Sequence, residues 1–340
     1  MGLSCLTLQR VTHTVRPSDK RQYQFNGSTT VTEIKLHTGL IVPERVITNF
    51  NEFAHQDFIP NWSSSLPTVI EALCAKWQIE LEPLIADTWM TVVLFGTSPA
   101  LGPVVMKSSP NAIDFVAQAR AFEIGAGDTV PRLYDIDLAH GVMVMERIIP
   151  GTELRHVAMD DDVSTRIAAE TLRTFWRPVS DGAGLMPQRR VLQPLFDWTP
   201  EPELIDTGLV AQAQQLAASL LQRSTQTCLV HGDFHHWNVL QRTSGEWVII
   251  DPVGIVGDPA SDIARWMHNP PEIAVREDFL DVATRRIGIW ADVTGIDADE
   301  LASWALVGNV LNAINCTAFA PEVMQTCIRV AHRLQTLVRR

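Results

Sequence analysis

The residues best suited to chemistry in the 340-residue sequence fall in two neighbouring segments. The first is Leu229-Val230-His231-Gly232-Asp233-Phe234-His235-His236-Trp237-Asn238-Val239-Leu240, which holds His, Asp and Asn in the pattern H-x-D-x-x-x-x-N. The second is the apolar run Trp247-Val248-Ile249-Ile250, ending in Asp251, thirteen residues after the asparagine. Far upstream, Lys107 closes another apolar run, Pro103-Val104-Val105-Met106. This set suits phosphoryl transfer, in which charge collects on the transferred group and the protein's task is to place and neutralise it. Asp251 and Asn238 offer carboxylate and amide oxygens to Mg2+, a hard cation that shares its shell with nucleotide phosphates. Lys107 offers those phosphates a fixed positive charge. Asp233 is placed to accept or orient the proton of an attacking hydroxyl, with positioning counting for more than basicity in an ordinary carboxylate.

Each residue has a plainer alternative. His231, His235 and His236 could gather around zinc, but Gly232 weakens a helix there and no further Cys or acidic ligand stands at a fitting spacing. His231 alone reads as a hydrogen-bonded loop residue, and Lys107 alone as a solvated strand end. Asp258 and Asp262, in Gly257-Asp258-Pro259-Ala260-Ser261-Asp262, read as turn and helix-cap residues, with Asp262 heading a helix at Ile263-Ala264-Arg265.

The elements that must hold these residues can be read from apolar periodicity. Trp89 to Phe95 and Pro103 to Lys107 flank the turn-prone Gly96-Thr97-Ser98-Pro99-Ala100-Leu101-Gly102 and predict a hairpin. Residues 111–124 predict a helix, and 132–135 with 141–147 predict further strand before a break at Pro150-Gly151, where a smaller lobe ends. An earlier helix is predicted to start after Pro67 and stop before Pro83, with Val69, Ile70, Leu73, Cys74 and Trp77 on one face. Tyr23 to Gly27 and Thr30 to Leu36 suggest short strands around a turn. Beyond Gly151 the stripes are helical: Val163 to Trp176, Leu209 to Leu221, 299–315 and 322–338, with a Pro/Gly-rich connection over 177–206.

Composition sets the frame. The length calls for two lobes or two domains, and 46% apolar residues with ten Trp and twelve Phe supply their cores. Lys plus Arg number 27 against 39 Asp plus Glu, a net charge of −12, which argues against nucleic acid as a partner. Five scattered cysteines without a C-x-x-C pair suit reduced thiols. The absence of a signal-type apolar stretch or a run of about 18 apolar residues argues against a membrane and makes a cytoplasmic location the expectation. Between residues 251 and 300 stand eleven acidic residues against four Arg and no Lys, so an acidic cleft that concentrates a polycation is one reading and a solvated surface is the other.

Taken together, Val230 to Leu240 and Ile250 to Ala264 resemble the aminoglycoside/hydroxyurea antibiotic-resistance kinase family, typified by streptomycin 6-phosphotransferases, within the protein-kinase-like superfamily. Fainter echoes at Leu66 to Trp77, Val104 to Lys107, Met145 to Thr152 and Asn269-Pro270 carry the resemblance across about residues 60–315. It implies an α+β, two-lobed fold: an arm over 1–60, a small nucleotide-binding lobe over 61–150 with a hinge near 146–151, and a large helical lobe over 151–340. It also implies ATP and Mg2+ as cofactors, adenine against the hinge backbone from Glu146 to Ile148, and Ser98 in the loop over the phosphates. The acceptor it implies is a small-molecule hydroxyl, often on a cationic aminoglycoside. A metabolic amino sugar, a small alcohol or hydroxyurea is the alternative, and a non-catalytic nucleotide-binding protein a second. Two departures stand out. Where relatives place a glutamate to orient the lysine, this chain has Gln118, with Glu123 five residues on as the other candidate. The Gly96–Gly102 loop is also not a G-x-G-x-x-G.

Overall fold

The structure, a computed structural model, describes residues 31–53, 57–86, 88–125, 129–157, 159–180, 182–199, 201–224, 227–317 and 320–338. The small lobe comprises α1 (Glu44–Phe53), α2 (Trp62–Trp77), β1 (Glu80–Ile85), β2 (Val92–Ser98), β3 (Gly102–Ser108), α3 (Ala112–Ile124), β4 (Leu133–Asp137) and β5 (Val142–Glu146). Its five strands form one antiparallel sheet in the order β1-β2-β3-β5-β4.

Strand alternation sorts the side chains of this sheet. Val92, Leu94, Val104, Met106, Val142 and Val144 turn to one face and form a core with Trp62, Leu66 and Ile70 of α2. Met143 and Met145 turn to the other, where Phe115, Ala119 and Phe122 of α3 continue into the core of the large lobe. Lys107 follows Met106 and therefore sits on the α3 side, paired in register with Val93 and Met143.

Two expectations change here. The described part of the first sixty residues is no appendage: Ile34, Leu36, Val42, Val46, Ile47 and Ile59 are buried in the same core as α2. The expected strand over Tyr23 to Gly27 lies outside the described residues, and the described part of the one expected over Thr30 to Leu36 makes only a single antiparallel bridge, Lys35 with Ile41. Helix α2 also begins upstream of Pro67, at Trp62. A proline inside a helix sacrifices one backbone hydrogen bond, but Trp62 is buried and donates its indole N–H to Ser108 Oγ at 2.8 Å, which anchors the extra turn.

The large lobe contains β6 (Pro150–Glu153), α4 (Asp161–Phe175), β7 (Arg177–Pro178), β8 (Met186–Pro187), α5 (Gln188–Val191), α6 (Gln193–Phe196), α7 (Thr207–Arg223) and β9 (Cys228–Val230). It continues with β10 (Val239–Arg242), β11 (Trp247–Ile249), β12 (Ile255–Gly257), α8 (Ala264–His268), α9 (Pro271–Ala274), α10 (Phe279–Thr294), α11 (Ala298–Cys316) and α12 (Pro321–Leu334). Helix α11 is apolar on all sides and runs through the centre of the lobe, as a fully buried helix must. Two small sheets, β11-β10-β6 and β7-β9-β12-β8, present their connecting loops to the small lobe. No helix among the described residues is long and apolar enough to cross a membrane.

Around α8 the core holds charge. Arg286 is fully buried and binds Asp161 through Nε at 3.0 Å and Nη2 at 2.6 Å, while Nη1 donates to the carbonyls of Trp266 and Asn269. It ties α10 to the start of α4 and to the end of α8. Replacing Arg286 by Met strands these acceptors, so we expect a loss of about 3 kcal/mol or more in urea unfolding; a loss within experimental error would show that the pair is dispensable.

Burial also pushes His231, His236 and His268 below the ordinary histidine value of 6.5, His268 to about 3. Over that window the unfolded chain binds protons that the folded chain refuses, so these groups make stability rise with pH and fall as pH drops below about 6.5. Each histidine contributes a slope of up to about 1.4 kcal/mol per pH unit. The variant His268→Gln should flatten the pH dependence of the urea midpoint between pH 6.5 and 4; an unchanged slope would contradict this.

Candidate active site

The catalytic candidates sit on two loops that the backbone stitches together. The loop from His231 to Asn238 connects β9 to β10, and the segment from Ile250 to Gly254 connects β11 to β12. Because β10 pairs with β11 and β9 with β12, the loops emerge side by side. Ile250 N donates to Asn238 O at 2.9 Å, and Val253 N donates to His231 O at 2.8 Å. Gly232 has φ +80°, a left-handed conformation that favours glycine, and a Cβ there would stand 2.3 Å from Ile255 Cδ1, so a larger residue would strain the backbone and push the Ile255 side chain aside.

Asp262 holds the start of the catalytic loop. Its carboxylate accepts the backbone N–H of His231 at 2.8 Å, that of Gly232 at 2.7 Å and the indole N–H of Trp176 at 2.9 Å. Burial raises its pKa, and His231 and these donors oppose the rise. The expected helix cap is therefore not formed: the carboxylate is spent on the catalytic loop rather than on the helix that follows. Asp258 does cap locally, accepting Ala260 N at 2.9 Å. His231 is the structural loop residue expected: Nδ1 accepts Asp233 N at 3.1 Å, which leaves Nε2–H to donate to Ile250 O at 2.9 Å.

Asp233 is 2% exposed. Burial works to raise its pKa, but the Arg265 guanidinium, then His235, outweigh it and hold the carboxyl below the usual range. Arg265 Nε stands 2.6 Å from Oδ1 and His235 Nε2 3.7 Å, yet neither carboxylate oxygen has an aligned hydrogen bond among the described residues. The carboxylate therefore stays charged and keeps capacity for an incoming O–H. Arg265, at the start of α8, is a site residue that sequence reading missed; its only signal was its place three residues after Asp262.

Asn238 donates Nδ2–H to Asp233 O at 2.9 Å, which points its amide oxygen elsewhere and leaves it for a cation. Asp251 lies beside it with φ +61°, a left-handed conformation that costs a non-glycine residue about 1 kcal/mol or more. Its Oδ1 is paired with Lys107 Nζ and also accepts Gln118 Nε2–H at 3.1 Å. A carboxylate, an amide oxygen and an adjacent ammonium fit Mg2+ with a phosphorylated ligand. No group of three or more His, Cys, Asp or Glu able to hold a metal occurs among the described residues, so the three histidines do not form the zinc cluster considered above.

Two expected nucleotide contacts, those of Ser98 and Glu123, are corrected. Ser98 is 1% exposed; it donates to Trp77 O at 2.6 Å and accepts the N–H groups of Ala100 and Leu101 at 3.3 Å, so its hydroxyl closes the hairpin turn instead of facing phosphates. Glu123 is exposed and paired with Arg120 at 2.9 Å, remote from the Lys107 network because position 118 holds the inward face of α3. The Glu146 side chain is engaged by Nη1 and Nη2 of Arg242 and by Arg132 N, which leaves its backbone, the part expected to meet adenine, to a ligand; Ile148, two residues on, is buried.

A half-open cleft of about 560 Å³, including solvent at its mouth, adjoins Asp233 and is walled by Gly232, Arg265, Ser261, Gln188, Trp304 and Asn312, among others. No carboxylate lines it. The acidic residues of 251–300 lie elsewhere: Asp258 and Asp262 are buried in backbone contacts, and Glu272, Glu277, Asp281 and Asp292 are exposed on outer helices. The solvated-surface reading of that charge is the one the geometry supports.

The chain is similar to known proteins. A streptomycin 3''-kinase from Klebsiella pneumoniae is 30% identical over 184 residues, 52% of this chain and 66% of the relative. A streptomycin 6-kinase from Streptomyces glaucescens is 25% identical over 268 residues, 74% of this chain and 83% of the relative. Among solved structures, an aminoglycoside phosphotransferase in ternary complex with ADP and hygromycin B superposes with a TM-score of 0.54 at 14% identity, covering 78% of this chain and 98% of its own, and so shares the protein-kinase-like fold. Residues 76–318 match the aminoglycoside/hydroxyurea antibiotic resistance kinase family along well over half of the chain, and the chain belongs to that family of phosphotransferases acting on a hydroxyl group.

Proposed function

We propose that the protein transfers the γ-phosphoryl group of Mg·ATP to a hydroxyl of a small molecule, with a streptomycin-class aminoglycoside as the acceptor its relatives favour. The observation that carries the reading is the convergence of Lys107, Asp251 and Asn238 near a buried, charged Asp233, whose chain neighbour Gly232 and ion-pair partner Arg265 line a cleft. Lys107 exchanges Asp251 for the nucleotide phosphates and fixes their position. Asp251 and Asn238 hold Mg2+, which when bound neutralises charge on the phosphate oxygens. The backbone from Glu146 to Ile148 meets adenine. Asp233, kept ionised by Arg265, accepts a hydrogen bond from the acceptor hydroxyl and aims its oxygen at the γ-phosphorus, so it works by orientation more than by strong basicity. No disulfide links Cys74, Cys228, Cys316 or Cys327, which supports a reducing, cytoplasmic setting.

A second reading keeps the chemistry and exchanges the acceptor for an uncharged hydroxyl compound of the hydroxyurea kind. The observation favouring it is the cleft wall, which carries the Arg265 cation and no carboxylate to meet a polycation.

Mass spectrometry after incubation with Mg·ATP and streptomycin, hydroxyurea or amino sugars separates the two. Phosphorylated streptomycin supports the first reading; modification of uncharged acceptors alone supports the second. In either case Asp233→Asn should lower kcat by about 10²–10⁴ while nucleotide still raises the melting temperature. Undiminished turnover in that variant would remove Asp233 from the mechanism.

A further inference from the structure

Helix α3, which the resemblance expected to supply the partner of Lys107, reaches Asp251 instead. Gln118, on the inward face of α3, is 4% exposed. Its Nε2 donates to Asp251 Oδ1 at 3.1 Å and to Pro252 O at 3.0 Å. Both targets are acceptors, so the contacts require a donor at this position. A glutamate there would set a second negative charge against the Asp251 carboxylate and could donate to neither oxygen.

Two further features bind the same segment to α3. Gly254, with φ +80°, passes so close that a Cβ would stand 2.0 Å from Ala117 O and 3.1 Å from Gln118 N. At the other end of the segment, Asp251 keeps its left-handed backbone with its carboxylate gripped by Gln118 and Lys107. The helix carrying Gln118 is itself fixed at its start, where Asn111 Oδ1 accepts the N–H groups of Ile113 and Asp114 at 3.1 Å.

We propose that Gln118 is a positioning residue for Asp251: by donating to Asp251 Oδ1 and Pro252 O it sets the orientation of the Mg2+-ligating carboxylate, so that in this chain α3 serves the metal site and not the lysine. The inference rests on the reading of Asp251 as a magnesium ligand. Lys107 then needs no carboxylate from α3, because Asp251 partners it until phosphates arrive.

The test is thermal unfolding of the full chain with ADP, in EDTA and across an Mg2+ titration. Gln118→Glu and Gln118→Met should each need at least about tenfold more Mg2+ for half of the metal-dependent stabilisation. Stabilisation by ADP in EDTA should match that of the native protein. A merely structural role would weaken ADP binding with and without metal alike, and that outcome would overturn the proposal. So would a Gln118→Glu protein that needs no more Mg2+ than the native one, since the restored carboxylate would then be serving Lys107. If Gln118→Glu fails to fold, Gln118→Met, of similar volume and without a donor, decides in the same way. Asp251→Asn, measured alongside, should abolish the Mg2+ dependence; if the dependence survives there, the metal-ligand reading itself falls, whatever Gln118 does.

Discussion

One carboxylate, that of Asp251, is shared by an ammonium on a small-lobe strand and an amide on a small-lobe helix, and the rest of the site is arranged around that sharing. Lys107 is 6% exposed. An ammonium withdrawn from water needs an anion, and Asp251 is the one the fold provides. The pair is best understood as a placeholder. In the proposed reaction nucleotide phosphates would satisfy the ammonium and a cation the carboxylate, an exchange that would replace two charge contacts by two others without leaving a bare charge. The interaction also spans the lobes, because Lys107 lies on β3 and Asp251 follows β11.

Across the site, the catalytic loop is held by neutral groups and one buried acid, and Asp233 keeps carboxylate oxygens without an aligned hydrogen bond among the described residues. His231, kept neutral by burial, bonds backbone on both sides of the site, and Asp262 gathers three N–H groups at the loop's entry. Asn238 is turned by its bond to Asp233 O, which aligns the amide oxygen and the catalytic carboxylate through one short stretch of chain. Rigid loops of this kind lower the cost of orienting reactants, which is where an enzyme performing little covalent chemistry has most to gain.

Much of this was legible in residue types and spacing, and the exceptions have physical reasons. Apolar runs located β2, β3 and β5, because one face of β2 and both faces of β5 are buried, and the H-x-D-x-x-x-x-N segment with its downstream aspartate located the loops. Pro67 misled because a proline usually opens a helix, whereas here the buried Trp62 extends α2 past it. Ser98 was assigned to the phosphates by family resemblance alone, and in a hairpin turn this tight its hydroxyl is taken by local backbone. Arg265 and the reach of Asp262 depend on contacts across 30 residues or more, as between Gly232 and Asp262, and no local pattern encodes those. The run of acids after residue 251 was ambiguous for the same reason, since helical phase and burial, not composition, decide which of them faces the cleft.

The exchange at Asp251 is tested most directly by a crystal structure of the protein with Mn2+ and a non-hydrolysable ATP analogue, in which the metal is located by its anomalous signal. The predicted result is a metal bonded to oxygens of Asp251 and Asn238, with Lys107 Nζ moved from Asp251 to the phosphates. A bound nucleotide with Lys107 still on Asp251, and the metal held by other residues, would contradict it.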